Sequence, residues 1–243
     1  MALRIAFDLD GVLADMDSEL ARLAESLFGA QADSRPEDAP TGPRVETADP
    51  AATGAPDSRV ATGLSLTVRQ QRQLWQQVES IDNFWESLAE LEPGVIQRMA
   101  TLATERRWEL IFLTRRPESA GATAQVQTQR WLRAHGFALP SVYVVQGSRG
   151  RIAAALDLDF VIDDRPENCL DVIVDSKARA ILVWRSGEGQ PAADAKHRGV
   201  GVVKTVAECL DILVQADSPG GRDQSGVVNR VLRLLGLKES ARS

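Results

Sequence analysis

Leu3-Arg4-Ile5-Ala6-Phe7-Asp8-Leu9-Asp10-Gly11-Val12 decides how the rest of the chain is read. A short apolar run leads straight into two acids one residue apart, and then into a glycine. A run this short, closed by a turn signal, predicts a buried strand rather than a helix. Carboxylates are expensive to bury, so Asp8 and Asp10 belong at the open carboxyl end of that strand, where they become candidate functional groups. Beyond them Met16, Leu20, Leu23, Ala24, Leu27 and Phe28 fall on one helical face, and Gly29 offers a stop.

Outward from this start the chain changes character twice. Between Ala30 and Gly63 lie five of the eleven prolines (36, 40, 43, 50 and 56), set among Ala, Thr, Asp and Gly with almost no large apolar residue. Such a stretch cannot bury enough surface to offset its ordering entropy and is read as disordered or loosely held. A capping box at Thr67-Val68-Arg69-Gln70 then opens a helix to about Ser80, and Phe84-Trp85 form an aromatic patch within 81–88. After Pro93 the pattern becomes strand–helix alternation. A helix face carries Val95, Ile96, Met99, Leu102 and Ala103, followed by a strand at 109–113 and a long helix from about Glu118 to His135. A strand at 142–145, a short helix from Arg151 to Leu156 and a strand at 160–162 come next. Two further strands lie at 180–184 and 199–203, before a helix to about Val214. A Ser-Pro-Gly-Gly linker at 218–221 precedes an amphipathic segment with Val227, Val228, Val231, Leu234 and Leu235, which suits docking on its own core or on a partner.

Alternating strands and helices imply an α/β fold: a Rossmann-like, mostly parallel sheet with helices on both faces. The expected division is an α/β core over 1–14 and 92–216, a small helical cap over 15–91 inserted after the first strand and containing the 30–63 stretch, and a linker with a C-terminal helix over 217–243.

Bulk properties bound the function. The 243 residues suffice for a core without disulfide or metal staples. A net charge of −6 argues against a broadly basic surface for a nucleic-acid polymer or an anionic membrane. Two cysteines, Cys169 and Cys209, make no disulfide framework and read as buried thiols, and two histidines exclude a His-rich zinc site. The N-terminal apolar run is too short for a signal peptide and no stretch approaches the roughly 20 apolar residues of a membrane span, so a cytoplasmic protein is expected.

In an open α/β sheet, ligands bind beyond the carboxyl ends of the strands. There the sequence places Asp8 and Asp10, then Thr114-Arg115-Arg116-Pro117, then Asp163-Asp164, with Gly147-Ser148-Arg149-Gly150 opening the next helix after the 142–145 strand. Four carboxylates converging on one edge repel one another unless a cation joins them. Oxygen donors without His or Cys favour a hard metal, Mg²⁺ before Zn²⁺. Each motif has a plainer reading. Asp8 and Asp10 resemble a calcium loop, but Gly11 comes too early and a buried strand precedes it. Thr114 is by itself a turn former, and Asp163-Asp164 suit the first turn of a helix. Arg115 and Arg116 are either a solvated loop pair or a lure for an anionic substrate, and Phe84 and Trp85 are either cap core or a base-stacking platform.

The ordered set Phe7-Asp8-Leu9-Asp10-Gly11-Val12, Thr114 and Asp163-Asp164, each at a strand end, resembles the haloacid dehalogenase (HAD) superfamily of phosphatases over residues 1–14 and about 92–185. The resemblance implies that Asp8 is the nucleophile, forming an aspartyl-phosphate, and that Asp10 is the general acid and base. It implies Mg²⁺ held by the Asp8 carboxylate, the backbone carbonyl of Asp10 and Asp164, with Asp163 in support. Thr114 and Arg115 would bind the phosphoryl group. The superfamily's usual lysine is missing; Arg149, or alternatively Arg151, stands in its place, and arginine is not interchangeable with lysine. Phe84-Trp85, Glu92-Pro93-Gly94 and Gln129-Arg130-Trp131-Leu132 are similar to the 5′(3′)-deoxyribonucleotidase branch, which implies a nucleoside monophosphate as the small phosphorylated substrate. The expected activity is therefore phosphomonoester hydrolysis. A phosphotransferase and a non-catalytic phosphate-sensing or partner-binding module are the alternatives, and the C-terminal helix is a candidate oligomerisation element.

Overall fold

The computed structural model describes residues 2–29, 66–185, 190–217 and 224–237. Strand β1 (Arg4–Asp8) leads to α1 (Met16–Phe28) and α2 (Val68–Ser80), then a 3₁₀ turn (Phe84–Glu86) and α3 (Val95–Arg106). The alternating part follows with β2 (Glu109–Thr114), α4 (Ala124–Ala134), β3 (Ser141–Val144), α5 (Arg149–Ala155), β4 (Phe160–Asp163) and α6 (Pro166–Asp175). It closes with β5 (Arg179–Val183), α7 (Gln190–His197), β6 (Gly201–Val203), α8 (Val206–Ala216) and α9 (Gln224–Leu234). All six strands pair in parallel in the order β3-β2-β1-β4-β5-β6. The expected α/β class is what the chain adopts.

The two-residue period of a strand explains the double-sided core. Ile5 and Phe7 of β1, Phe112 of β2 and Phe160 and Ile162 of β4 join one apolar cluster with Met99 of α3, Trp131 of α4 and Leu210 of α8. The alternate residues Ala6, Ile111, Leu113 and Val161 join the other, with Ala153 of α5, Cys169 and Val172 of α6 and Ala195 of α7. Each large apolar side chain buried this way contributes about 1.5–3 kcal/mol.

The stretch between β1 and α3 is tied together at its two ends: the Asp15 amide donates to the Ala89 carbonyl (2.9 Å) and the Leu91 amide to the Leu13 carbonyl (2.8 Å). Its α1 ends at Gly29 as expected, and α2 carries the foreseen capping box between Thr67 and Gln70. The stretch expected to be disordered at 30–63, and the linker at 218–221, lie outside the described residues. Helix α9 lays Val227, Val231 and Leu232 inward against α8, with Arg230 Nε donating to the Ala216 carbonyl (2.6 Å).

Three local expectations need correction. The helix expected from Glu118 starts at Ala124, capped by the Thr123 hydroxyl. Before it, Gly121 has φ +91° against Asp82 and Asn83, and Asn83 Oδ1 accepts from the Ala122 amide (3.0 Å), so tertiary contacts hold 118–122 out of the helix. The short helix expected from Arg151 begins at Arg149, because Ser148 Oγ accepts from the amides of Gly150 (3.2 Å) and Arg151 (3.4 Å). Helix α7, short and polar, was not foreseen at all.

Candidate active site

Chain order reverses beside β1: β2 and β3 build out on one side of it, β4, β5 and β6 on the other. The crevice at such a switch point, beyond the strands' carboxyl ends, is where open α/β sheets bind ligands. Asp8 is the last residue of β1 and Asp163 the last of β4. By strand parity both belong with Ala6 and Val161, on the face covered by α5 and α6. Arg149, the first residue of α5, enters from that face.

Arg149 is buried, and its Nη2 donates to Asp8 Oδ1 in a very short ion pair while its Nε lies 3.6 Å from Asp163 Oδ2. Its Nη1 is buried with no hydrogen-bond partner. Gly150 beside it has no room for a side chain, since a Cβ would fall 2.1 Å from the Asp171 carbonyl oxygen; α5 is thus packed tightly on α6. Arg151 is exposed. Two residues on a helix turn a side chain to nearly the opposite side, so of the two candidates it is Arg149 that reaches Asp8.

Burial drives the Asp8 carboxyl well above the usual carboxylate range; Arg149 opposes this, and the charges of Asp163, Asp164 and Asp10 add to it. Asp163 is pushed up by burial as well, opposed chiefly by Arg149 and by donors from the Arg165 amide (2.9 Å) and Asn168 Nδ2 (3.0 Å to each oxygen). Asp164, half-buried, is raised to about 7 by desolvation and by Asp163 next to it. Asp164 lies directly against the turn after β1: a Cβ on Gly11 would sit 2.2 Å from Asp164 Oδ2, and Gly11 has φ +83°, so both space and backbone demand glycine there. The amides of Val12, Leu13 and Ala14 all converge on the Leu9 carbonyl (3.2, 2.7 and 2.8 Å), and Arg185 Nη1 and Nη2 hold the Gly11 and Val12 carbonyls (2.6 and 2.9 Å). The acidic turn is therefore clamped from both sides.

Asp10 faces the exit of β2. Arg116 Nε donates to both its oxygens at 3.0 Å and Nη2 to Oδ1 at 2.7 Å, while the Thr114 hydroxyl lies 3.2 Å from Oδ2. Arg116 is 2 % exposed, with its guanidinium carbon 4.9 Å from the Trp85 ring centre and 5.8 Å from that of Trp131. Neither reading of Arg115-Arg116, as a solvated loop pair or as a lure for an anionic substrate, foresaw that the two part company: Arg115 is exposed, 3.5 Å from the Gly147 carbonyl, but Arg116 is a buried partner of Asp10. Phe84 and Trp85 are buried too, edge to face at 4.9 Å, so they are core and offer no open stacking platform.

Among the described residues no group of three or more His, Cys, Asp or Glu side chains stands together as a metal cage. The ligand set implied by the resemblance needs only two carboxylates, from Asp8 and Asp164, and the carbonyl of Asp10. The Asp10 side chain, whose backbone carbonyl alone was expected at the metal, is engaged by Arg116 and Thr114, and Asp163, expected only in support, is held by Asn168, the Arg165 amide and Arg149.

No protein-family model and no curated protein matches the chain. Among solved structures, a HAD family hydrolase from Deinococcus radiodurans R1 with bound phosphate and sodium superposes with a TM-score of 0.52 over 88% of this chain and 96% of that one, at 15% identity. The chain shares the fold of that hydrolase. A putative beta-phosphoglucomutase from Thermotoga maritima (TM-score 0.49, 19% identity, 87% and 98% covered) and a hydrolase from Pseudomonas syringae (TM-score 0.47, 16% identity, 87% and 99% covered) are more distant in shape.

Within this fold the structure brings Asp8, Asp10, Thr114, Arg149, Asp163 and Asp164 to the carboxyl edge of β1, β2 and β4, with Arg115 at the surface nearby. Reading the sequence missed Arg116. The one available signal was the spacing Thr114-Arg115-Arg116-Pro117, in which alternate residues leaving a strand share a face: Thr114 and Arg116 both turn to Asp10.

Proposed function

We propose that this chain is a HAD-type phosphomonoester hydrolase that works through an aspartyl-phosphate on Asp8. The observation that carries the reading is the pairing of a buried carboxylate at the end of the central strand with a buried guanidinium, Arg149, that still has an unpartnered N–H. An arginine with spare donors beside a nucleophile is suited to a phosphoryl oxygen, and such charge stabilisation is the main work of phosphoryl transfer.

The steps follow from the chain's own groups. Asp8 attacks phosphorus, the ester P–O bond breaks, and Asp10 supplies a proton to the departing oxygen. A water then attacks the aspartyl-phosphate, Asp10 takes the proton, and Asp8 and inorganic phosphate are released. Arg149 keeps Asp8 oriented and offsets charge on the phosphoryl oxygens, while Thr114 holds Asp10 at the edge of the site.

A hard divalent cation fits the donors present. They are all oxygen, and the mutual repulsion that raises Asp8 and Asp164 is what a cation relieves. His135 packs at a tilt against Trp131, ring centres 4.6 Å apart, with its Nδ1 at the Trp131 carbonyl (2.8 Å). Mg²⁺ would be held by Asp8, the Asp10 carbonyl and Asp164, and would supply charge neutralisation at the attacked phosphate.

The substrate is a small phosphomonoester. Nucleoside monophosphates lead the panel on the deoxyribonucleotidase-like segments alone, since the buried Phe84 and Trp85 leave base recognition to other residues of the cap. The test is phosphate release from p-nitrophenyl phosphate and a nucleotide and sugar-phosphate panel, with Mg²⁺ or with EDTA, for the wild type and Asp8→Asn. Mg²⁺-dependent release that disappears in the variant is the expected result. Release that persists in Asp8→Asn removes Asp8 as nucleophile, and transfer seen only with an acceptor alcohol makes the chain a phosphotransferase.

A further inference from the structure

We infer that Arg116 is the positioning residue for Asp10, and that it ties the aim of the general acid and base to the segment on which the cap rejoins the core. The inference rests on the phosphatase reading above and concerns a residue that the reading does not itself require.

The geometry of the pair is over-determined. The Arg116 side chain has no solvent exposure, and the Asp10 side chain keeps 14%. Nε is shared between the two Asp10 oxygens, Nη2 goes to Oδ1, and Nη1 donates to the Thr128 hydroxyl of α4 at 2.9 Å. The planar fork thus has its edge on Asp10, its far end on Thr128 and two indole rings against it. A guanidinium held on so many sides has one place to be, and so does the carboxyl it grips.

The indoles are fixed in their turn. Trp85 Nε1 donates to the Pro117 carbonyl at 3.0 Å, its amide donates to Gln127 Oε1 at 3.0 Å, and Trp131 Nε1 donates to the Leu88 carbonyl at 2.7 Å. Trp85 and Leu88 lie on the stretch that returns from the cap, whereas Pro117, Gln127 and Trp131 belong to the core. A continuous set of contacts therefore runs from the returning cap segment through the aromatic pair to Arg116 and on to Asp10.

A salt bridge kept only for stability could join any acid to any base. This one grips the second acid of the Asp-x-Asp pair, two residues beyond the nucleophile, from the same strand exit that presents Thr114. A misplacement of a catalytic group by about 1 Å costs on the order of 100-fold in rate. Fixing Asp10 from behind is the kind of support that such precision requires.

A positioning role and a purely structural role differ in how Arg116 and Asp10 combine. The experiment measures kcat and KM with p-nitrophenyl phosphate and with glycerol 2-phosphate, whose alkoxide leaves poorly and depends more on a proton donor, for the wild type, Arg116→Met, Asp10→Asn and the double variant. Expected for Arg116→Met is a fall in kcat of about 100-fold on glycerol 2-phosphate, smaller on the aryl ester, with KM within about threefold. In the Asp10→Asn background the same substitution should lower kcat on p-nitrophenyl phosphate by less than about twofold, because groups that act as a unit are not additive. If Arg116→Met shows no cooperative unfolding transition, Thr128→Val takes its place: it frees only Nη1, and the few-fold loss expected should likewise vanish in Asp10→Asn. Multiplicative losses from residues 10 and 116, equal losses on both esters, or a loss confined to KM would overturn the inference while leaving the phosphatase reading intact. A wild type that hydrolyses no monoester would remove both.

Discussion

Replacing Arg149 by alanine exposes the electrostatics around Asp8 to measurement. The guanidinium lies among two buried acids, with side-chain exposures of 4% for Arg149, 10% for Asp8 and 0% for Asp163. At an effective dielectric constant of about 20, its attraction for Asp163 across 3.6 Å is about 5 kcal/mol, and the closer contact with Asp8 is of the same order. Desolvation offsets most of this in the intact site, but deleting one member of a buried pair leaves the others uncompensated, at a cost of about 3–5 kcal/mol. The acids can escape that cost by taking up protons, and both already sit above the usual carboxylate range. The sign follows. An acid whose folded pKa is raised binds more protons folded than unfolded, so stability falls as pH rises above the ordinary carboxylate pKa near 4. Arg149→Ala should therefore unfold in urea close to wild type at pH 5 and several kcal/mol below it at pH 8, with EDTA present in both. Arg151→Ala, on the exposed side of the same helix, should match the wild type at both pH values. An Arg149→Ala penalty under about 1 kcal/mol at pH 8, or one independent of pH, would refute this account of the site's electrostatics.

Two more predictions concern the turn and the cation. Gly11→Ala places a methyl where Asp164 Oδ2 now lies and in a backbone region that alanine resists, so the chain should fold with stability lower by about 1 kcal/mol or more and lose Mg²⁺-dependent turnover, as read by circular dichroism melting and phosphate release. Without a divalent ion, the Tm should drop between pH 5 and pH 8 as Asp164, at about 7, and the acids beside it ionise; Mg²⁺ should raise the Tm at pH 8 and leave it nearly unchanged at pH 5. A larger Mg²⁺ effect at pH 5 than at pH 8 would contradict the placing of the cation among these carboxylates.

What could be read in advance was whatever depended on local pattern. Asp8 and Asp163 declared themselves because an acid directly after a buried strand has only the sheet's open end to go to, and parallel topology then brings strand ends together. The capping box at Thr67 and the stop at Gly29 were likewise local and were observed. Arg116 was hidden because nothing within 114–117 distinguishes a solvated arginine from one seated against Trp85 and Trp131, which arrive from 31 residues before and 15 after. Which of Arg149 and Arg151 lies beside Asp8 depended on where α5 starts, and that start is capped by a single hydroxyl, that of Ser148. The start of α4 was missed because Asn83 holds the 118–122 loop from outside the local sequence. Elements follow from periodicity; the partners of buried charges follow from packing.

The claim on which the rest depends is that Asp8 carries the phosphoryl group during turnover. It can be tested by acid-quenching the enzyme during turnover of a phosphomonoester and mapping the modified peptide by mass spectrometry. The account predicts one phosphoryl group on Asp8, stable to acid, released by hydroxylamine, and absent from Asp8→Asn. Turnover by a well-folded wild type that leaves no covalent phosphate at any quench time, or leaves it on another residue, would contradict it.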